Sequence, residues 1–376
     1  LYARAVTTYL QATVRSMHGE VVDVAEAVRA YETVLTLEPR FTWALNELGQ
    51  VYLIQAEFDR LHGKDPRPLL DSATRRFDEA LVADPAFTLP VFGKIRASIQ
   101  RLLYESEHGL DASDSVSALE GAAALVERQK LGGFLPAFYA ARASRFRAAH
   151  ELSLGRDPRA SIAAGVEKIH AFVAPGAETG FLLQELAELR LVEAEHGRTA
   201  GLAPPLDFQR LRDAVRKAAD HDASDIDLHD IVARMDLVTA LVLAAQGGRG
   251  GLEILLLGLA LRPLVGKVRN DPRPYQTLAA IHARKAAWLV SQGKTSDADV
   301  RAGLSMVEKA LVIHPNDPKV LATKGELLLL RARAARGQDP RAAARAAGEA
   351  FAAALRENPR LAESYGEMVK EAKGRE

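Results

Sequence analysis

Apolar residues recur along most of this chain at steps of three and four positions, the spacing that places side chains on one face of a helix. Ala73, Phe77 and Ala80 show this spacing, and the same three residue types return at positions 347, 351 and 354. No stretch shows the sustained two-residue alternation of a half-buried strand. The pattern therefore predicts an all-helical chain of roughly seventeen helices.

A short turn sequence, Gly-x-Asp-Pro-Arg, occurs three times and begins at positions 63, 155 and 337. Related glycines at 19, 109, 197, 250 and 293 complete a series with a period of about 45 residues, and a proline follows many of them after 20 to 22 residues. Two helix breaks per period predict two helices per repeat. The predicted repeats form one domain over 1–376 and span 1–39, 40–85, 86–131, 132–175, 176–223, 224–271, 272–315 and 316–359, with a final helix at 360–376.

The turn sequences have the chemistry of a helix end followed by a helix start. Gly adopts the left-handed conformation that ends a helix, and a preceding His, as at positions 18, 62, 108 and 196, places a partly positive ring at the negative end of the helix dipole. Asp65, Asp157 and Asp339 are predicted to accept hydrogen bonds from free backbone N–H groups, with the following proline as the first helical residue. The arginines of the turns have no predicted role and would form a row along one edge: Arg67, Arg159 and Arg341.

These repeats resemble the tetratricopeptide repeat, a module of two helices. Its second-helix signature, Ala-x-x-x-Phe-x-x-Ala-x-x-x-x-Pro, matches from Ala73 to Pro85, and its first-helix signature, Leu-Gly-x-x-Tyr, matches from Leu48 to Tyr52. The resemblance implies a right-handed α-solenoid of about eight antiparallel helix pairs, in which the aromatic residue fills the gap between repeats. The repeats exceed the ~34-residue family period by about eleven residues, which lengthen the first helix. In repeat three, Pro90 and Gly93 are out of phase with the signature.

The style of the turns and the Ala-rich composition also resemble the C-terminal repeat regions of large bacterial serine/threonine protein kinases. This resemblance implies a regulatory or substrate-recruiting arm of a cytoplasmic signalling protein. Because the chain begins at Leu1 without a Met, we expect a catalytic domain upstream, and we expect the charged segment 361–376 to cap the repeats. The chain itself contains no His-Arg-Asp catalytic loop, no Asp-Phe-Gly and no Gly-rich nucleotide loop, so we predict neither enzymatic activity nor a cofactor.

Composition narrows the class of partner. Lys+Arg and Asp+Glu both number 49, so no global charge attracts nucleic acid or an anionic membrane surface. Cysteine is absent, which excludes disulfides, thiolate metal sites and a cysteine nucleophile. The longest apolar run, Ile254–Leu261, is far shorter than the ~20 residues of a membrane-spanning helix. We therefore expect a protein or peptide partner, with no role for nucleic acid or membrane.

Two segments carry candidate chemistry. His221 and His229 lie among five aspartates at 220–230, a donor set that could bind a divalent metal, although Asp at a helix junction also serves as an N-cap and the spacing matches no established zinc or calcium site. The segment Gly-Gly-Arg-Gly-Gly at 247–251 could bind phosphate but is more typical of a flexible turn. Glu185 and its acidic neighbours are expected on a solvated helix face, so no metal or catalytic site is predicted.

The resemblance places a binding surface on the first helices, which line the concave wall of such a solenoid. The wall positions are Trp43, Asn46, Gln50 and Leu53 in repeat two, and Lys319, Ala322, Glu326 and Leu329 in repeat eight. Trp43 would anchor a partner, and the alternative is that its ring packs between repeats. Two other functions remain open. One is self-assembly through 331–354 or 252–261, and the other is binding of a ligand near Phe134, Phe138, Tyr139 and Phe146.

Overall fold

The computed structural model describes residues 1–17, 24–200, 202, 205, 207–222, 225–245, 271–334 and 339–375. These residues form sixteen α-helices and one short 3-10 helix, and they contain no strand. The helices are α1 (Tyr2–Met17), α2 (Ala25–Leu37), α3 (Thr42–Leu61), α4 (Arg67–Ala83), α5 (Leu89–Glu107), α6 (Ser113–Arg128), α7 (Leu135–Ser153), α8 (Arg159–His170), α9 (Gly180–Thr199), α10 (Phe208–His221), α11 (Ile226–Ala245), α12 (Arg273–Ser291), α13 (Asp297–Ile313), α14 (Pro318–Ala334), α15 (Pro340–Glu357), the 3-10 helix (Pro359–Leu361) and α16 (Ala362–Arg375). The prediction of an all-helical chain is confirmed for this part of the chain.

Several sequence-based predictions concern segments outside the described residues. These are the glycines at 19, 250 and 337, the glycine-rich segment 247–251, and the apolar segment 252–261 considered for self-assembly.

The chain divides into two compact units. The N-terminal unit comprises Leu1–Ser106 and Leu110–Glu185, and the C-terminal unit comprises Glu107–Gly109 and Leu186–Glu376. In the N-terminal unit, α1 packs on α2, α2 on α3, α3 on α4, α6 on α7, and α7 on α8. In the C-terminal unit, α10 packs on α11, and α11 to α15 each pack on the next helix. Following the predicted repeats, the first helices are α1, α3, α5, α7, α9, α11, α12 and α14, and the second helices are α2, α4, α6, α8, α10, α13 and α15.

The core of the N-terminal unit combines a large aromatic ring with two glycines. Phe77 on α4 is fully buried, and a Cβ atom at Gly49 of α3 or Gly93 of α5 would lie 2.5 Å or 2.4 Å from its ring. No side chain can approach a ring so closely, so both positions require glycine. The expectation that Gly93 is out of phase is therefore wrong, because this residue lies one repeat after Gly49 and has the same packing role. In the C-terminal unit, a Cβ atom at Gly325 would likewise lie 2.8 Å from the ring of Phe351.

Left-handed glycines follow several of the helices, as the turn chemistry predicts. Gly63, Gly109, Gly155 and Gly293 have φ angles of +72°, +65°, +67° and +66°. Gly197 differs, because it lies inside α9, whose helical hydrogen bonding continues beyond it. The prediction of a helix end at Gly197 is wrong, since a His-Gly pair alone does not specify the left-handed conformation.

The aspartates of the turns bind the starts of the second helices. Asp339 is the N-cap of α15 and accepts a hydrogen bond from the backbone N–H of Arg341 at 3.0 Å. Asp65 and Asp157 accept the equivalent bond from the residue two positions later, also at 3.0 Å. The predicted hydrogen bonds are confirmed at all three turns, but only Asp339 is an N-cap, because α4 and α8 begin one residue after the proline and have Pro66 and Pro158 at the N-cap position.

The arginines of these turns close back on the aspartate two positions earlier. Arg67 Nη2 and Arg159 Nη2 lie 2.7 and 2.5 Å from a carboxylate oxygen, and each Nε lies 2.9 Å from the other oxygen. A further Asp-Pro-Arg turn, Asp271 to Arg273, starts α12 with the same geometry, and Arg273 also donates to Asp227 at 2.9 Å. No glycine stands two positions before Asp271, so the five-residue pattern missed this copy. In these three turns the guanidinium group holds the turn together.

An ion pair between Arg333 and Glu371, together with apolar packing, attaches α16 to α14. Arg333 donates to Glu371 from Nε at 2.9 Å and from Nη2 at 2.5 Å, and Arg375 Nε adds a bond at 2.8 Å. The Arg333 bonds, with help from Arg375, lower the pKa of the Glu371 carboxyl from 4.5 to about 2.

We expect the attachment of α16 to weaken in acid. Because the pKa of Glu371 is lower in the folded chain, its contribution to stability is complete above pH 4.5 and is lost as the pH falls towards about 2. An NMR titration of the Glu371 carboxyl should have its midpoint near the lower value, and exchange of the α16 amides should accelerate over the same range. Arg333→Met should raise this pKa and remove most of the pH dependence. An ordinary glutamate midpoint in the unsubstituted chain would contradict the prediction.

Candidate functional site

Polar side chains join the first helices of neighbouring repeats. Arg96 on α5 donates to Gln50 on α3 at 3.0 Å, across 46 positions. Arg60 on α3 donates to Gln100 on α5 at 2.9 Å, across 40 positions. Both separations are close to the predicted repeat length, so these bonds join α3 and α5 at positions that the prediction makes nearly equivalent.

Glu185 on α9 is held by two arginines of α7. Glu185 is 1% exposed, and its carboxylate accepts a bond from Arg142 Nε at 3.0 Å and contacts Arg145 Nε through its other oxygen. The two guanidinium groups also lie over aromatic rings, Arg142 over Phe138 at 4.2 Å and Arg145 over Phe146 at 4.3 Å. The expectation of a solvated face is therefore wrong for Glu185, whose buried charge requires these partners because an unpaired one would cost several kcal/mol.

The same kind of contact recurs within the C-terminal unit. Arg234 on α11 contacts Glu188 on α9 at 2.6 Å, across 46 positions. Arg284 on α12 contacts Glu326 on α14 at 2.6 Å, across 42 positions. Burial raises the pKa of Glu326, and the nearby Arg284 opposes that effect. Glu326, a predicted wall residue, thus joins two first helices.

The predicted wall positions divide between surface and core. Trp43 is 48% exposed, and its ring lies 5.0 Å from that of Phe87. Gln50 is partly exposed, and Lys319 is exposed. Leu53 is 1% exposed and packs in the core with α4, so it offers no surface to a partner. The other buried positions are Asn46, Ala322, Glu326 and Leu329.

Aromatic rings lie within two residues of the start of four consecutive first helices. Trp43, Phe87, Phe134 and Phe181 are termed the helix-start aromatics. Trp43 packs against Phe87, as described above. Phe134 and Phe181 stack with ring centroids 5.9 Å apart at an angle of 23°, and Phe181 is 57% exposed. Sequence reasoning identified Trp43 and Phe134 separately and missed the set. The signal that could have found it is the recurrence of an aromatic residue after every 44 to 47 positions.

The rings considered for a ligand site pack on one another. The ring centroid of Phe138 lies 6.0 Å from that of Phe134 and 5.0 Å from that of Tyr139. The ring of Phe146 is buried beneath the guanidinium group of Arg145. A groove of about 1030 Å³ lies elsewhere in the N-terminal unit, between α4 and α6.

The acidic segment 220–230 contains the N-terminal boundary of α11. Asp225 accepts a hydrogen bond from the backbone N–H of Leu228 at 3.0 Å, which is the N-cap role considered for the segment 220–230. No group of three or more metal-ligating side chains is found among the residues that the structure describes. None of the described helices is long and apolar enough to cross a membrane. In the segment 331–354, Ala344 and Ala347 are buried within the C-terminal unit.

Comparison with known proteins found no family model that matches this chain and no matching curated protein.

Proposed function

We propose that the chain is a non-catalytic scaffold of tetratricopeptide-like repeats that binds a protein or peptide through the helix-start aromatics. The observation that supports this proposal is the exposure of Trp43 and Phe181, 48% and 57%, on helices that polar contacts join to a neighbouring first helix. Large rings on a rigid surface are the residues that most often dominate the free energy of binding. A partner with apolar side chains would cover them and remove their surface from water.

The contacts among the side chains of this surface support the same proposal. Glu185 holds α9 against α7, and the rings of Phe134 and Phe181 stack at the starts of these two helices. Side chains that are already ordered lose little conformational entropy when a partner binds. The binding surface is therefore prepared before the partner arrives.

We further propose that this scaffold is the recruiting or regulatory arm of a bacterial multidomain signalling protein such as a serine/threonine kinase. The Asp-Pro-Arg turns, which carry that resemblance, have one shared geometry at the starts of α4, α8 and α12. In such a parent, deleting this chain should leave phosphorylation of a short peptide unchanged and abolish phosphorylation of the recruited protein. Equal loss of both activities would argue against a recruiting role.

Selection of peptides from a random display library tests the proposed surface. We expect the enriched peptides to be apolar and to bind Trp43→Ala Phe181→Ala at least about tenfold more weakly than the unsubstituted chain. The matched control is Phe172→Ala, because this ring is equally exposed, at 52%, and follows α8 outside the set. Unchanged affinity for the double variant would show that the helix-start aromatics are not the binding site.

A further inference from the structure

We propose that the groove between α4 and α6 binds an acidic amphipathic helix of a partner protein. This second-helix groove has α5 as its floor and a volume of about 1030 Å³. Its walls belong to second helices and contain none of the helix-start aromatics. It is therefore a second binding surface, beyond the one proposed above.

The size of the groove suits a short helix. A helix about 10 Å across with a pitch of 5.4 Å occupies about 420 Å³ per turn, so the groove could hold about two and a half turns. This length is enough to present apolar side chains at three- and four-residue steps to the floor. Helices that lie in grooves of partner proteins are commonly anchored in this way.

The wall formed by α6 permits close approach. Ala118, Gly121, Ala122 and Leu125 line the groove at helical spacing, and Ala97 lies on the floor. Gly121 is exposed, and a Cβ atom at this position would have no other atom within 4 Å. Small side chains let the backbone of a second helix come near, as in packed helix pairs.

The charge of the groove identifies the class of partner. Its basic residues are Arg40, Arg75, Lys94, Arg101 and Arg128, and its acidic residues are Asp71, Asp78 and Glu79. Lys94 pairs with Asp78 at 2.6 Å, Arg101 pairs with Asp71, and Glu79 pairs with Arg76. Arg40, Arg75 and Arg128 are exposed and form no ion pair within the described part of the chain. Three positive charges thus remain for the carboxylates of a partner.

The positions of these arginines favour a helix over a compact anion. Arg40 lies between α2 and α3, Arg75 lies in the middle of α4, and Arg128 ends α6, so the charges come from three separate elements. Acidic residues spread along a helix match such a distribution. The described residues contain no strand edge to pair with a peptide backbone, and a helix needs none because it satisfies its own backbone hydrogen bonds.

A displayed library of amphipathic helices, with the polar face randomised among Glu, Gln and Lys, is the probe for this groove. Selection on the full chain should enrich Glu. The selected helices should bind at least about tenfold more weakly to Arg75→Glu Arg128→Glu and to Gly121→Phe. Gly121→Phe should not lower the Tm, because the new side chain has open space. The substitution also removes a glycine from the interior of α6, where glycine is destabilising.

Matched controls separate this proposal from the other surface and from general effects. The matched control variants lie on helices of the C-terminal unit: Arg345→Glu reverses an exposed charge, and Gly366→Phe adds a ring where there is open space. Both variants should bind the selected helices as the unsubstituted chain does. Trp43→Ala Phe181→Ala should also bind them normally. The proposal is overturned if no helix is enriched, if Lys is enriched as strongly as Glu, or if binding survives Gly121→Phe. Conversion of a dimer to a monomer by Gly121→Phe in light scattering would identify a second copy as the occupant and also overturn it.

Discussion

Phe77→Ala is expected to lower the free energy of unfolding of the N-terminal unit by about 3–5 kcal/mol. The ring is fully buried on α4 between Gly49 of α3 and Gly93 of α5. Neither glycine has a side chain that could move into the vacated space, so a cavity would remain between two successive repeats. The loss would therefore weaken the contact between repeats as well as the core of repeat two.

Hydrogen exchange is the appropriate measurement, because a chain with two compact units need not unfold in one transition. Protection should fall in α3, α4 and α5 and remain unchanged in α12 to α15. Phe172→Ala removes an exposed ring and should change stability by less than about 0.5 kcal/mol. Adding Gly93→Ala to Phe77→Ala should restore part of the stability, since the new methyl group would occupy the cavity. Unchanged protection in α3 to α5 would show that Phe77 does not hold these helices together.

Local patterns predicted the helical class, because the spacing of apolar residues on one helix is a property of nearby residues, and the resemblance to a known repeat signature predicted the packing role of Phe77. They failed at Gly93 and Gly197 for a different reason. Whether a glycine ends a helix or makes room for a ring depends on the helix packed against it, and that helix is distant in sequence. The Asp-Pro-Arg turns were predictable in part, since Asp65 and Arg67 are only two residues apart.

The candidate surface was harder to predict than the fold. Leu53 lies in the core although the family phase places it on the wall, because it packs against Leu70 and Ala73 of α4. Glu185 and Glu326 have the composition of solvated helix residues but are buried beside arginines 40 to 43 positions away. Such pairing depends on the spacing between repeats, which a single segment does not specify. The helix-start aromatics were detectable only by comparing equivalent positions of successive predicted repeats.

Glu185→Ala is expected to destabilise the N-terminal unit by about 3 kcal/mol. The substitution leaves the guanidinium groups of Arg142 and Arg145 close together without their shared carboxylate. The side chains of Arg142 and Arg145 are 29% and 17% exposed, so water can partly solvate the unpaired charges. The expected loss is therefore at the lower end of the range for a broken buried ion pair. Because Glu185 links α9 to α7, the stack of Phe134 on Phe181 should also loosen.

A variant without any of these charges distinguishes the effect of charge from that of helix spacing. In Arg142→Met Arg145→Met Glu185→Leu, apolar packing replaces the ion pairs, and stability should return to within about 1 kcal/mol of the unsubstituted chain. If the spacing of α7 and α9 sets the binding surface, affinity for the selected peptides should fall in Glu185→Ala and recover in the triple variant. Recovery of stability without recovery of binding would mean that the arginines themselves contact the partner. Equal stability of Glu185→Ala and the unsubstituted chain would contradict the role assigned to this carboxylate, because the two helices would then be held by their apolar contacts alone.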